Sequence, residues 1–516
     1  MAWFEEAVFY HIYPLGLTGA PLHNDQGETV HRLNDLIPWI GHIADIGCNA
    51  LYIGPLFESV GHGYETSDYR KLDRRLGDND DLKNFVRICH ENGIRVVLDA
   101  VFNHTGREFF AFRDIRENRE NSPYLYWYQN VNLYGDNEYH DGFSYDTWAG
   151  YDLLPKLNQR NPEVVNYHLD TVRFWVDEFD IDGLRLDVAQ VLDFDFMHQL
   201  RLLANEIKDE FWLMGEVIHG EYDRWVGPSM LHSVTNYHLN KALFSGHNDH
   251  HYFEIAHTVN RLLSAGKYEM SHLYNFVDNH DVERIHTILS NKADFFPVHV
   301  LLYTLPGIPS IYYGSEYGID GKKERYSDAS LRPYLNLNEL EENDCIRLIR
   351  ALGKIRQNEK ALSYGDYWQL QLSLYQYAFA RGDIIVTVNS ASENGHFDLN
   401  SQGIYKGALS GTMIESDNGV LHIDIGAHSG EIWIPQDVSR AVYEPLEITI
   451  ENKEKDDQWQ RPERADKPYK EMSVEELQAE ILAKMEANGP LNERMIRDVR
   501  ENVWRDSLLN WVKSFR

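Results

Sequence analysis

Short apolar runs rich in β-branched and aromatic residues alternate with longer amphipathic stretches from the N-terminus to about residue 360. The runs at 8–13, 50–54, 95–102, 183–188, 211–217, 233–237, 272–277 and 310–313 read as strands. Between them, 30–46, 80–91, 162–179 and 194–208 repeat apolar residues at helical spacing. Strands apolar on both faces and joined by helical crossovers predict a parallel sheet. Eight of them form, most economically, an α/β fold closed into a (β/α)8 TIM barrel. A doubly wound open sheet is the alternative, but no glycine-rich nucleotide fingerprint follows any strand.

The barrel pattern occupies residues 1–104 and 161–361. The interval 105–160 interrupts it with a dense set of aromatics, among them Tyr124, Tyr126, Trp127, Tyr128, Tyr134, Tyr145, Trp148 and Tyr151. A connection that long in a compact domain is usually functional, and this one leaves the C-terminal end of a strand. It is expected to be an inserted subdomain walling a cleft; the plainer alternative is a mini-core with no ligand role. From 362 to 436 the texture shifts to short alternating strands with glycine turns, predicting an antiparallel β domain. Residues 437–516 are densely charged, with 18 acidic and 14 basic side chains. Ser473-Val474-Glu475-Glu476 reads as a capping box, Asn488-Gly489-Pro490 as a break, and Ile496, Val499, Val503, Trp504, Leu508, Trp511 and Phe515 as the apolar stripe of a second helix. That stripe packs either on its own protein or on a second subunit, making the helical extension a candidate for homodimerisation.

Charge narrows the partners. With 81 acidic against 49 basic residues the formal net charge is −32, which repels nucleic acid and anionic membranes but not a neutral substrate. The most apolar long run, 295–314, is broken by Pro297, Pro306 and Pro309 and makes a poor membrane span. Cys48, Cys89 and Cys345 are odd in number and far apart, and the N-terminus carries acids where a signal peptide carries basic residues. A cytoplasmic protein is the expectation.

Polar residues at the strand ends supply the chemistry. The third strand ends Asp99-Ala100-Val101-Phe102-Asn103-His104, the fourth Arg185-Leu186-Asp187, the fifth Gly215-Glu216 and the seventh Asp278-Asn279-His280-Asp281. Asp187, Glu216 and Asp281 would therefore face one cleft. Neighbouring strands lie about 4.8 Å apart, close to the roughly 5–5.5 Å between the carboxyls of retaining glycosidases; inverting enzymes need about 6.5–9.5 Å. On this reading Asp187 is a nucleophile kept ionised by Arg185, and Glu216 an acid/base protonated at rest. Each residue alone has a plainer explanation: a cap, the structural ion pair Arg185–Asp187, hydrogen-bonded wall histidines. Metal ligation is open on paper, though no close metal-type spacing occurs. Joint occurrence at one end of a barrel favours catalysis.

These segments together resemble the α-amylase family of glycoside hydrolases. Asp99–His104, Gly183–Asp187, Glu216 and Phe276–Asp281 match its four signature segments in order. Gly47–Pro55, His62-Gly63-Tyr64 and Gly307-Ile308-Pro309 with Tyr312-Tyr313-Gly314 add further matches. The resemblance spans roughly residues 5–435 and implies Asp187 as nucleophile, Glu216 as general acid/base and Asp281 as transition-state stabiliser. It also implies Tyr64 stacking on the sugar, with His104, Arg185 and His280 hydrogen-bonding it. Leu154-Pro155-Lys156-Leu157-Asn158 resembles the neopullulanase, cyclomaltodextrinase and maltogenic amylase group. Two departures stand out: strand one begins near Val8, without that group's N-terminal β domain, and Val188-Ala189-Gln190-Val191 replaces its usual residues after the nucleophile.

The resemblance implies no metal or other cofactor in the chemistry. Asn103 matches a structural calcium ligand of many α-amylases, but the histidine completing that site is missing. The expected activity is retaining hydrolysis of α-1,4 bonds in maltooligosaccharides, with cyclodextrins as further substrates and maltose and glucose as products. Alternatives are a transglycosylase, a trehalose-synthase-like isomerase or an α-1,6-glucosidase on the same fold, and a non-catalytic glucan-binding scaffold.

Overall fold

The computed structural model describes residues 2–264, 272–324, 327–436, 440–452 and 472–487, with positions 469, 496, 499, 508 and 512. Eight parallel strands run β1 (Phe9–Ile12), β2 (Ala50–Ile53), β3 (Arg95–Ala100), β4 (Gly183–Leu186), β5 (Trp212–Gly215), β6 (Ser233–Val234), β7 (Tyr274–Phe276) and β8 (Ile308–Tyr312). They are ordered β6-β5-β4-β3-β2-β1-β8-β7. A parallel bridge from Thr235 to Tyr274 brings the two edges together, with the Asn236 amide donating to the Tyr274 carbonyl at 2.9 Å. The fold is a (β/α)8 barrel.

Strand alternation fills the interior. Phe9, Ala50, Tyr52, Val97, Trp212, Met214, Tyr274, Phe276 and Ile308 form one buried cluster, closed below by Phe4 of the N-terminal turn. Gly183 takes part by lacking a side chain: a Cβ there would lie 2.5 Å from the Trp212 carbonyl oxygen, so glycine makes room for the backbone of β5. The same parity sends His11, Asp99, Arg185, Asp187 and Glu216, farther along their strands, toward the C-terminal mouth. Register sets their heights, with His11 beside Tyr52 and Asp99 beside Arg185.

The helices start where capping chemistry says they should. Asp78 accepts from the Asp80 and Asp81 amides at the head of Asn79–Glu91, and Asn161 caps Pro162–Phe179, where Pro162 occupies the first turn and Asp180 ends the helix left-handed. The apolar run 295–314 is the helix Phe295–Thr304 followed directly by β8.

Within 105–160, a helix (Phe110–Asn118) and a small hairpin (Thr147–Trp148 with Tyr151–Pro155) pack Phe112, Tyr128, Phe143 and Tyr145 against one another. Residues 367–435 hold a six-stranded antiparallel arrangement and a two-stranded sheet. One face, with Tyr377, Phe379, Val386 and Ile432, joins the barrel's core; the other, with Ala378, Ile385 and Trp433, packs on Phe397, Leu399, Leu421 and Ile423.

Residues 453–516 form a separate compact unit. Its helix Val474–Ala487 contributes Leu477, Ile481 and Leu482 to a buried cluster with Met472, Val499, Leu508 and Val512. The sequence readings at Asn488-Gly489-Pro490, Val503, Trp504, Trp511 and Phe515 lie outside the described residues. Among the described residues no helix is long and apolar enough to cross a membrane.

Candidate active site

At the mouth of the barrel one guanidinium organises three carboxylates. Arg185 Nη1 donates to Asp99 Oδ1 at 3.0 Å and to Asp187 Oδ1 at 2.7 Å, and Arg185 Nη2 lies 3.0 Å from Glu216 Oε2. All four side chains are buried. The arrangement follows from neighbouring strands: the Asp187 amide continues the β3–β4 ladder by donating to the Ala100 carbonyl, and the Glu216 amide continues β4–β5 through the Leu186 carbonyl.

The turn after Asp187 is strained. Val188, a β-branched residue, sits at φ +42° and ψ +43°, a region such residues rarely enter. Its amide there donates to Glu216 Oε2 at 2.9 Å. The strain thus holds the second carboxylate of the pair. Nothing in the sequence signals it, because valine argues against a left-handed turn.

Asp281 lies beyond β7 and is the most open of the acids, its side chain about one-third exposed at 35%. His280 Nε2 lies 3.1 Å from Asp281 Oδ2 and 2.6 Å from the Tyr64 hydroxyl, and Tyr64 in turn donates to Asp99 Oδ2 at 3.1 Å. A single network therefore joins Asp281, His280, Tyr64, Asp99, Arg185, Asp187 and Glu216. The Tyr52 hydroxyl donates to Asp99 Oδ2 at 2.9 Å. Arg332, absent from the sequence-derived set, donates Nη2 to Asp281 Oδ1 at 2.9 Å and Nε to the His280 carbonyl at 3.1 Å, with Asp328 at 3.3 Å. It comes from a loop after β8 with no periodic pattern, so sequence reading had no handle on it.

His104 lies at the base of the inserted segment. Its backbone bridges Lys156, and its ring lies nearly parallel to Trp148, 9° between planes and 6.5 Å between centroids. His104 Nε2 and His280 Nδ1 are buried without a hydrogen-bond partner among the described residues. Buried polar atoms left unpaired are costly, which makes both nitrogens natural contacts for ligand hydroxyls.

The electrostatics differ from the sequence expectation. Burial pushes the Asp187 carboxyl well above the usual carboxylate range; Arg185 opposes this and Glu216 adds to it. The expected lowering by Arg185 is thus present, but the burial of the Asp187 carboxyl outweighs it. Burial works to raise Asp281 too, but His280, Arg332 and Arg185 outweigh it and hold that carboxyl well below its ordinary value. Burial takes His104 down to about 3, so it is neutral.

Asn103 is buried with Oδ1 unpaired, the one feature suited to calcium. Its Nδ2 lies 3.2 Å from His104 Nδ1, and among the described residues no group of three or more His, Cys, Asp or Glu side chains converges beside it. Calcium needs six to eight oxygens, most from carboxylates and carbonyls. Asn103 Oδ1 supplies one such oxygen.

The family described as "Alpha amylase, catalytic domain" matches residues 22–359. The chain belongs to the α-amylase family. Among its relatives, a cyclomaltodextrinase of a Bacillus species is 32% identical over 444 residues, covering 80% of this chain and 77% of that protein. Neopullulanase 2 of Thermoactinomyces vulgaris is 31% identical, covering 73% and 68%. The solved structure of a cyclic α-maltosyl-(1→6)-maltose hydrolase from Arthrobacter globiformis superposes with a TM-score of 0.72 at 25% identity, covering 84% of this chain and 99% of that one. The α-amylase family are glycoside hydrolases, and this member is an α-glucan hydrolase.

Proposed function

We propose that the protein is a retaining hydrolase of α-1,4 bonds in maltooligosaccharides and cyclodextrins, releasing maltose and glucose. The observation that carries this is the pair of carboxyls on adjacent strands held by the two ends of one guanidinium, Asp187 on Nη1 and Glu216 on Nη2. Side-by-side placement suits attack by one carboxylate while the other protonates the leaving oxygen. The similar cyclomaltodextrinase and neopullulanase support the substrate class.

On binding, the proton of the pair settles on Glu216 and leaves Asp187 as carboxylate beside Arg185. Asp187 attacks the anomeric carbon as the glycosidic C–O bond breaks and Glu216 gives its proton to the departing oxygen. Water then adds at the same carbon, Glu216 takes its proton, and the Asp187 ester is released. Asp281 and His280 grip hydroxyls as the ring flattens, interactions stronger in the transition state than in the ground state. Tyr64 offers an aromatic face, and His104 Nε2 a further polar contact. Neither metal nor other cofactor enters this scheme.

Lys156 lies opposite His104 in the segment that resembles the neopullulanase group, which favours α-1,4 over α-1,6 cleavage. The cytoplasmic assignment rests on three free, buried cysteines.

The test is proton NMR of maltoheptaose digestion, read before mutarotation. Early α-anomers of maltose or glucose are expected; early β-anomers would remove Asp187 as nucleophile. Asp187→Asn and Glu216→Gln should each lower turnover on maltoheptaose by at least about 10²-fold. Near-normal turnover in either variant defeats the assignment.

A further inference from the structure

The outward face of the two-stranded sheet in the C-terminal domain carries a cluster with no part in glucan chemistry. Strands Gly395–Asn400 and Val420–Ile425 pair antiparallel, with His396 opposite Asp424 and Asp398 opposite His422. Alternation turns Phe397, Leu399, Leu421 and Ile423 into the core and leaves these four outside. His-Phe-Asp on one strand thus meets His-Ile-Asp on the other.

The four side chains converge. His396 Nδ1 lies 2.6 Å from Asp424 Oδ1, and His396 Nε2 lies 3.1 Å from Asp398 Oδ1. His422 Nδ1 lies 2.6 Å from that same Asp398 oxygen. The two imidazoles are nearly parallel, 17° between planes and 6.3 Å between centroids. A neutral imidazole has a single N–H. If Nδ1 of His396 donates to Asp424, its Nε2 presents a lone pair to the Asp398 carboxylate, and two acceptors face each other at 3.1 Å. A divalent cation between them satisfies both acceptors.

Ordinary cross-strand pairing accounts for His422 with Asp398. It accounts equally for His396 with Asp424, but not for the aim of His396 Nε2 at the Asp398 oxygen that His422 already contacts, with Asp424 behind the ring. That backing carboxylate is the usual partner of a metal-bound histidine, where it fixes the tautomer and strengthens the ligand.

We propose that His396 Nε2, Asp398 Oδ1 and His422 Nδ1 form a surface site for a divalent transition metal, Zn²⁺ the best match, with Asp424 orienting His396 from behind. The three ligand atoms lie within 4.8 Å of one another. A tetrahedral ion about 2.0–2.1 Å from each spaces its ligands about 3.3 Å apart, so side-chain rotations suffice and the strands need not move. Two imidazoles and a carboxylate suit Zn²⁺, Ni²⁺ or Cu²⁺ far better than Ca²⁺ or Mg²⁺. The ion clamps the sheet's register from outside and keeps one coordination position open to water.

The experiment is calorimetric titration of chelator-stripped full-length protein with ZnCl₂, alongside His396→Gln, His422→Gln and Asp424→Asn. One equivalent should bind to the parent and be lost in both histidine variants. Asp424→Asn should weaken it by about 10–100-fold. Hydrolysis of maltoheptaose should be unchanged in His422→Gln, because the site lies outside the barrel. Parent protein that binds no zinc, or histidine variants that keep the same equivalent, overturn the site. An unchanged affinity in Asp424→Asn overturns the role given to that residue.

Discussion

Arg332 is the residue whose role the structure adds to the cleft, and its removal has a calculable cost. It holds Asp281 by a charged hydrogen bond and the His280 carbonyl by a second, fixing both groups on the substrate side. A hydrogen bond to a charged group contributes about 1.5–3 kcal/mol and a neutral one about 0.5–1.5. The Asp281 side chain is one-third exposed, and Arg332 also faces Asp328, so solvent and sharing reduce the sum. A net loss of about 1.5–3 kcal/mol in transition-state stabilisation corresponds to a fall of about 10–150-fold in kcat/KM for Arg332→Gln. Since Asp281 is to act chiefly on the flattened ring, kcat should carry most of this. Arg332→Lys keeps the charge but cannot present the Nε and Nη2 fork, and should recover only part of the loss. Steady-state kinetics on maltoheptaose, with thermal melting to verify the fold, decides the matter. If Arg332→Gln stays within about threefold of the parent in kcat/KM while Asp281→Asn is inactive, the positioning argument is wrong.

Three further perturbations follow from the same geometry. Glu216 helps to raise Asp187, so Glu216→Gln should move the acid limb of residual activity on an activated aryl maltoside to lower pH; an unmoved limb contradicts the coupling. Burial alone would raise Asp182, but His90, the Val96 amide and Lys208 outweigh it and bring it down to about 2, so its stabilisation is present above an unfolded value near 3.9 and lost as pH falls through 2. Asp182→Asn should therefore cost about 2–3 kcal/mol in urea unfolding at pH 7 and little near pH 2. Trp175 is fully buried, stacked on Phe57 at 4.4 Å with its indole N–H donating to the Tyr69 carbonyl, and Trp175→Ala should destabilise by about 3–5 kcal/mol in the same assay.

What could be read from the chain, and what could not, divides along physical lines. Periodicity located the eight strands, and the amphipathic stretch 162–179 is the helix Pro162–Phe179, which Asn161 caps and Asp180 ends. The sixth strand was read as 233–237 but ends at Val234, because Asn236 turns its side chain to cap the next helix by accepting from the Leu239 amide. Position at strand ends pointed Asp187, Glu216 and Asp281 toward one cleft, and the hydrogen-bonded network through Arg185, Asp99, Tyr64 and His280 links them. The direction of the Asp187 shift was not legible: it depends on how deeply that carboxyl is buried, which a spacing argument does not measure. Arg332 and the strained Val188 were invisible for a different reason, since each owes its role to a loop's path rather than to any pattern.

The barrel's joint between β6 and β7 has its own consequence. A single bridge pair, Thr235 with Tyr274, closes it among the described residues, and a buried amide pair supports it: Asn236 Nδ2 donates to Asn275 Oδ1 at 2.9 Å, and Asn275 Nδ2 is in turn held by the Pro306 carbonyl at 2.9 Å. The ring is therefore weakest there, and Asp187 and Glu216 stand on one side of the weak point while Asp281, His280 and Arg332 stand on the other. A sugar gripped by both sets staples the joint. Hydrogen exchange at the Asn236 amide should accordingly run faster than in β2–β5 and slow when a glucan binds, making the substrate a transient member of the barrel's own ladder.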